Sequence, residues 1–253
     1  MSEQNLLCDV EDGVGRLTLN RPEQGNAIDV ALADALMEAA VRLAEDPSAK
    51  VVTLTGNGRL FCAGGDIAAF AKGEPGAVIA RITVSLHAAI NRLATMPKPL
   101  ICLVNGPAAG AGLGLAMLGD IVLAASSSHF TSAYTAIGVS PDAGTSWLLP
   151  RLVGLRRAQD MILTNRRVGP EEAVAMGLAT RMVADDALAS EGDKLARSLG
   201  AGATGALATA RLLLHRSYRS SLADQLEAEA AGIVATARSA EAGERFAAFR
   251  EKS

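Results

Sequence analysis

Aromatic side chains are scarce in this chain: one Trp, two Tyr and five Phe make up 3% of 253 residues. Small and aliphatic side chains must therefore fill the interior, and a 49% hydrophobic fraction allows a large one. Cysteine is limited to Cys8, Cys62 and Cys102, none in a CxxC. Their apolar or small neighbours point to buried, reduced thiols of a cytoplasmic protein. Cys62 lies in a turn where a nucleophile could sit, but no histidine or other base is near it in sequence. The three histidines, His87, His129 and His215, are far apart, and no His/Cys/Asp/Glu cluster has ligand spacing, so no metal is expected. There is no charge excess: 24 Lys plus Arg against 27 Asp plus Glu give a net charge of -3. Nucleic acid and anionic membranes are thereby disfavoured as partners. Among uncharged stretches, residues 99–119 come nearest to spanning a bilayer, and their Gly and Pro density argues against it. Met1-Ser2-Glu3-Gln4-Asn5 has no signal-peptide pattern.

What is present is an alternation of apolar strands and helical stripes. Val14–Leu19 alternates as a strand, and 29–45 carries a helical stripe of Leu32, Leu36, Ala39, Ala40 and Leu43. The strand 51–55, the helix 79–93, the strand 100–104, the short helix 112–118 and the strand 121–124 follow. This order argues for an α/β layer structure. After Pro141 the pattern becomes helical: 143–149, 156–163, 170–176, 186–198, 204–218, 221–238 and 240–250. No strand candidate occurs beyond about residue 199, and Gly200-Ala201-Gly202-Ala203-Thr204 forms a joint there. The chain divides on this basis into 1–199 and a helical 200–253.

Two glycine-rich turns follow buried strands. The first is Phe61-Cys62-Ala63-Gly64-Gly65-Asp66-Ile67; the second is Asn105-Gly106-Pro107-Ala108-Ala109-Gly110-Ala111-Gly112-Leu113-Gly114. Nothing bulky shields the backbone in such turns, and the first N–H groups of a helix lack internal partners. Two turns side by side can aim two donors at one oxygen, which suits a carbonyl that becomes an oxyanion. A dinucleotide loop does not fit, because the third glycine of Gly110-Ala111-Gly112-Leu113-Gly114 comes one residue early. A Walker lysine and a Gly-x-Ser-x-Gly elbow are both missing. Asp142 has two readings. It completes a helix start, with Ser140 as N-cap and Pro141 at the first helical position, or it is a general acid–base at the edge of an apolar pocket. Asp66 reads as a helix cap, His87 as a helix histidine, and Tyr134 as an amphipathic wall residue.

In its ordered motifs the chain resembles the crotonase superfamily, the enoyl-CoA hydratase/isomerase group, over nearly its whole length. The matching pieces are Asn20-Arg21-Pro22 with Asn26-Ala27-Ile28, the turn 61–67, Pro97-Lys98-Pro99 leading into Val104-Asn105-Gly106, and 108–112. They continue through Gly119-Asp120, Pro141-Asp142, Leu149-Pro150-Arg151-Leu152-Val153-Gly154, Glu171-Glu172-Ala173, Gly177-Leu178 and Ala248-Phe249. The resemblance implies a spiral of ββα units and a helical C-terminal region that packs between subunits of a homotrimer or a hexamer. It implies an acyl-CoA thioester substrate, and no cofactor beyond that coenzyme A moiety. By position, the oxyanion donors are the N–H groups of Gly65 and Ala111. The segment Ala63, Gly64, Asp66, Ile67 and Ala68, with Gly110, lies along the coenzyme; Phe249 and Lys252 reach a neighbour's ligand. A lysine frequent at the position of Ala68 is missing.

The departures decide the expected activity. The two hydratase glutamates fall on Gly114 and Tyr134, and neither is a carboxylate. Asp142 matches a catalytic aspartate of some isomerases in the family, and also the nucleophile of 4-chlorobenzoyl-CoA dehalogenases, which keep a histidine at the position of His87. Gly65 and Leu86 stand at two positions of the dehalogenase aromatic box, leaving Tyr134 as its aromatic member. The expectation is an acyl-CoA isomerase that moves a double bond or rearranges a ring through a thioester enolate. Asp142 is the proton shuttle, with Tyr134 and His87 accessory. A hydratase with relocated water activation comes second, an aryl-CoA dehalogenase third, and a non-catalytic acyl-CoA binder is the alternative of another class.

Overall fold

The structure, a computed structural model, describes residues 5–251. Strands β1 (Leu6–Glu11) and β2 (Val14–Leu19) form an antiparallel hairpin, followed by helix α1 (Val30–Glu45). Then come β3 (Val51–Gly56), α2 (Ile67–Phe70), α3 (Pro75–Thr95), β4 (Leu100–Val104), β5 (Ala108–Ala109) and α4 (Ala111–Ala116). The chain continues through β6 (Ile121–Ala125), β7 (Phe130–Thr131), α5 (Thr145–Val153), α6 (Leu155–Thr164), α7 (Pro170–Ala175) and β8 (Arg181–Val183). Four helices complete it: α8 (Leu188–Gly200), α9 (Thr204–Ser217), α10 (Leu222–Ala237) and α11 (Ala240–Glu251).

The main sheet has the order β1-β2-β3-β4-β6-β8, parallel except for the β1–β2 pair. Both of its faces are covered, which is why β4 reads as an unbroken apolar run. Leu100, Cys102 and Val104 face the interior that α1, α3 and α4 enclose, while Ile101 and Leu103 face α8. Helix α8 presses close because Gly192 has no side chain; a Cβ there would stand 2.6 Å from the Leu103 methyls. All five residues of the α1 stripe are buried, and Asp29 caps that helix by accepting a bond from the Leu32 N–H at 2.8 Å.

A second, shorter ladder runs beside the sheet. Cys62 bridges Ala108, Ala108 pairs with Phe130, and Phe130 bridges Val168. Each unit thus gives one strand to the sheet, one short extended piece to the ladder, and then a helix. These are the ββα units that the resemblance implies.

Three local readings differ from the structure. The edge strands β1 and β8 go beyond the sequence reading: β8 is only three residues long, and β1, although its burial alternates, is short and charged. Helix α3 begins at Pro75, capped by the Glu74 carboxylate, rather than at residue 79. Helix α5 begins at Thr145, not at a Ser140 cap, because Ala143 and Gly144 both take positive φ, 52° and 75°. That conformation interrupts any helix ahead of Thr145.

The tail is joined to the core by a buried cation. Arg211 of α9 bonds the Asp120 carboxylate and the carbonyl oxygens of Leu93, Ala94 and Met96 at 2.5–2.9 Å, closing the C-terminal end of α3. Helix α10 packs on α9, and α11 on α10. Among the described residues, no helix is long and apolar enough to cross a membrane.

Replacing Arg211 by Met keeps the bulk and removes the donors, so the loss in urea unfolding is expected to be ~3–5 kcal/mol. A loss below about 1 kcal/mol, the level of an exposed pair, would refute the clamp. Burial pushes the Asp120 carboxyl up, but His215, Arg211 and the Leu100 N–H outweigh this and hold it below its ordinary 3.8. Its contribution is therefore complete above that value and is lost as pH falls through the lower folded-state value. In Arg211→Met the folded-state value moves back up, so this acid-side loss should shrink.

Candidate active site

The site begins with backbone contact between the two glycine turns. Cys62 N–H donates to the Pro107 oxygen at 3.2 Å, and Ala109 N–H donates to the Cys62 oxygen at 2.9 Å. The seam is close enough to exclude side chains. A Cβ on Gly106 would lie 2.0 Å from the Arg59 oxygen, and one on Gly112 would lie 2.3 Å from the Cys62 oxygen. A Cβ on Gly64 would lie 2.9 Å from the Ala109 oxygen and 3.5 Å from the Ala111 nitrogen.

The first turn is held from behind by Asn26 and Arg21. The buried Asn26 amide donates to the carbonyl oxygens of Asn57, Leu60 and Phe61. The Arg21 guanidinium bonds the Ala27 oxygen and pairs with Asp29 at 3.1 Å and Asp66 at 3.0 Å. One cation thus secures the caps of both α1 and α2. Asp66 also accepts from the Ala69 N–H at 3.0 Å. Burial raises its pKa, but the Ala69 N–H and Arg21 outweigh burial and lower it. Asp66 is therefore fixed as a cap.

These contacts set the direction of the donors. Ile28 and Gly65 form a parallel bridge in which Ile28 N–H donates to the Gly64 oxygen and Asp66 N–H to the Ile28 oxygen. Such a bridge uses the groups flanking Gly65 and turns its own N–H the other way. Ala111 is the first residue of α4, behind Gly110 at φ 53°, so its N–H has no helical acceptor. Among the described residues, neither N–H bonds a protein acceptor. Gly65 and Ala111 both line one cavity of about 390 Å³.

Asp142, Tyr134, Ala63, Gly64, Ile67 and Gly110 are in the wall of that same cavity. Asp66, Ala68 and His87 are not. Phe249 is an exposed residue of α11 away from this wall, and Lys252 lies outside the described residues. The remaining wall is mainly aliphatic, with Ile28, Ile79, Ile82, Leu86 and Ile137, but it includes Phe70. The Phe70 ring tip stands 2.5 Å from the place of a Gly65 Cβ, so it fills the room that glycine vacates. Tyr134 is thus not the sole aromatic of the wall; Asp66 marks the start of α2, but nothing local in the sequence signals that the Phe70 ring folds back over Gly65.

Asp142 occupies its position because residue 114 is glycine. A Cβ on Gly114 would meet the Ala143 oxygen at 2.4 Å and the Ala143 Cβ at 2.8 Å. The loop bearing Asp142 fills the space in which a side chain at 114 would project. Asp142 Oδ1 lies 2.6 Å from His87 Nε2, and the two side chains are 33% and 52% exposed. Tyr134 is 9% exposed. Burial drives its phenol pKa well up; the nearby Thr145 hydroxyl opposes that rise, although neither hydroxyl meets the geometry of a hydrogen bond. A neutral phenol at this position has no carboxylate's capacity to take up a proton. Cys62 is equally unsuited as a nucleophile: burial pushes its thiol up to about 12, and Sγ faces the Asn26 oxygen at 3.2 Å. Cys102 is buried like Cys62, whereas Cys8 is half-exposed. Among the described residues, no group of three His, Cys, Asp or Glu side chains is placed to hold a metal ion.

Comparison with known proteins identifies the family and the fold. The family described as Enoyl-CoA hydratase/isomerase matches residues 9–253. A 1,2-epoxyphenylacetyl-CoA isomerase of Escherichia coli is 37% identical over 251 residues, 98% of this chain and 95% of that protein. A 4-chlorobenzoyl coenzyme A dehalogenase of an Arthrobacter species is 32% identical over 254 residues, 99% of this chain and 92% of that protein. The crystal structure of an enoyl-CoA hydratase from Bacillus anthracis superposes with a TM-score of 0.94 at 28% identity, covering 98% of this chain and 97% of that one. The chain has the crotonase fold and belongs to the enoyl-CoA hydratase/isomerase family of acyl-CoA enzymes.

Proposed function

We propose that this enzyme isomerises an enoyl-CoA, or rearranges the ring of a cyclic acyl-CoA, through a thioester enolate. What supports this reading is that Gly65 and Ala111, whose N–H groups bond no protein acceptor among the described residues, line one apolar cavity together with Asp142, with no carboxylate at 114 or 134. The two N–H groups polarise the thioester carbonyl and stabilise the enolate oxygen, each typically worth about 3–4 kcal/mol. Asp142 takes the C2 proton of a 3-enoyl thioester, and the electron pair of that bond forms the dienolate. Return of the proton at C4 leaves the double bond between C2 and C3. One base suffices, and no activated water takes part. The aliphatic wall favours an alkyl or alicyclic acyl group, with Phe70 and Tyr134 giving it flat surfaces.

The His87–Asp142 contact favours a second reading, in which Asp142 attacks an aryl-CoA and displaces halide. Its signature is chloride release from 4-chlorobenzoyl-CoA. Hydration remains the alternative whose product is a 3-hydroxyacyl-CoA from a 2-enoyl-CoA. The exposed Leu222, Leu226 and Ile233 of α10 support packing of the tail against further copies, as a trimer or hexamer.

Asp142→Asn is expected to lower conversion of 3-hexenoyl-CoA to 2-hexenoyl-CoA by about 10²–10⁴-fold, with coenzyme A binding retained in calorimetry. Unchanged turnover would sink the isomerase reading. Ala111→Pro removes one donor at a first-turn position that accommodates proline. It is expected to lower kcat by about 10²–10³-fold while leaving the thermal midpoint near that of the parent.

A further inference from the structure

Two separate cavities meet at the His87–Asp142 contact. Asp142 lines the acyl cavity and not the second; His87 lines the second and not the first. The second cavity, of about 870 Å³, lies between α3, α5 and α9, with Asn91, Asp120, Trp147, His215 and Tyr218 in its wall. The imidazole spans the partition, with Nε2 2.6 Å from Asp142 Oδ1. Among the described residues, its Nδ1 has no hydrogen-bond partner. A bound acyl chain would occupy the first cavity and cover the carboxylate from that side, leaving the imidazole in contact with the other.

We infer that His87 is a proton relay through which Asp142 exchanges its proton with solvent in the second cavity. This rests on the proposed role of Asp142. In one half of the exchange the Asp142 carboxyl gives its proton to Nε2, and the resulting imidazolium loses Nδ1–H to water. In the other half a solvent hydron enters at Nδ1, and Nε2–H returns to the carboxylate. No oxidant or further reactant takes part. His87 is not in the wall of the first cavity, so isomerisation proceeds without it. What His87 sets is the origin of the proton placed on C4, from the substrate's own C2 or from solvent.

The experiment converts 3-hexenoyl-CoA in deuterium oxide and reads deuterium at C4 of the product by mass spectrometry. The native enzyme, His87→Gln, His87→Leu and Asp142→Asn are compared. His87 is exposed at its ring, so neither variant should disturb folding. The expected result is that both His87 variants keep turnover within about tenfold of native, well short of the 10²–10⁴-fold cost of losing a general acid–base. Their product should carry severalfold less deuterium at C4. A merely structural role would alter the rate without altering that partition. The relay is overturned if both variants show the native deuterium fraction, or if the native enzyme places no solvent deuterium at C4. Those outcomes leave the isomerase reading intact when Asp142→Asn is inactive. An active Asp142→Asn removes both.

Discussion

The backbone contact between the two glycine turns is the constraint on which the site depends. Gly64 and Gly112 each face a carbonyl of the opposite turn, and Gly106 that of Arg59 just ahead of the first turn, so closely that a methyl group would not fit. This proximity brings Gly65 and Ala111, 46 positions apart in the chain, to one cavity. The donors are main-chain groups, so no side chain has to be ordered for them to act. Their direction is fixed by a bridge on one side and a helix start on the other. Such prior fixing is what makes dipoles effective at a developing charge.

Gly114 and Asp142 report a single structural alternative rather than two independent differences. The carbonyl and methyl of Ala143 fill the volume beside Gly114. A glutamate there would evict the loop that brings Asp142 to the cavity. The left-handed conformation of Ala143, which costs about 1–2 kcal/mol for a residue with a Cβ, belongs to the same accommodation. On the proposed reading the base stands on a different loop, and the volume beside residue 114 is filled by backbone.

The strand–turn–helix order, the α1 stripe and both turns were legible because each is a local pattern of size or period, whereas Asp142 is singled out by the family resemblance, its local sequence reading as a helix start. What was not legible depends on contacts between distant residues. Arg21 reaches Asp66 across 45 positions, and His87 reaches Asp142 across 55. Nothing near Phe70 signals that its ring lies on Gly65. The helix start expected at Ser140 fits every local rule of capping, and fails because contact with Gly114 draws Ala143 and Gly144 into positive φ. Local preference yields to a tertiary contact there, directly beside Asp142.

The Arg211 clamp links parts of the molecule that are otherwise remote. It holds α9 to the last carbonyls of α3, and α3 carries Ile79, Ile82, Leu86 and His87 along its length. Force applied to the tail is therefore delivered to the helix that walls the cavity and, through Asp120, to the start of β4. A rod of 21 residues has one end in the anchor and its middle in the cavity wall, so the tail and the cavity share a lever.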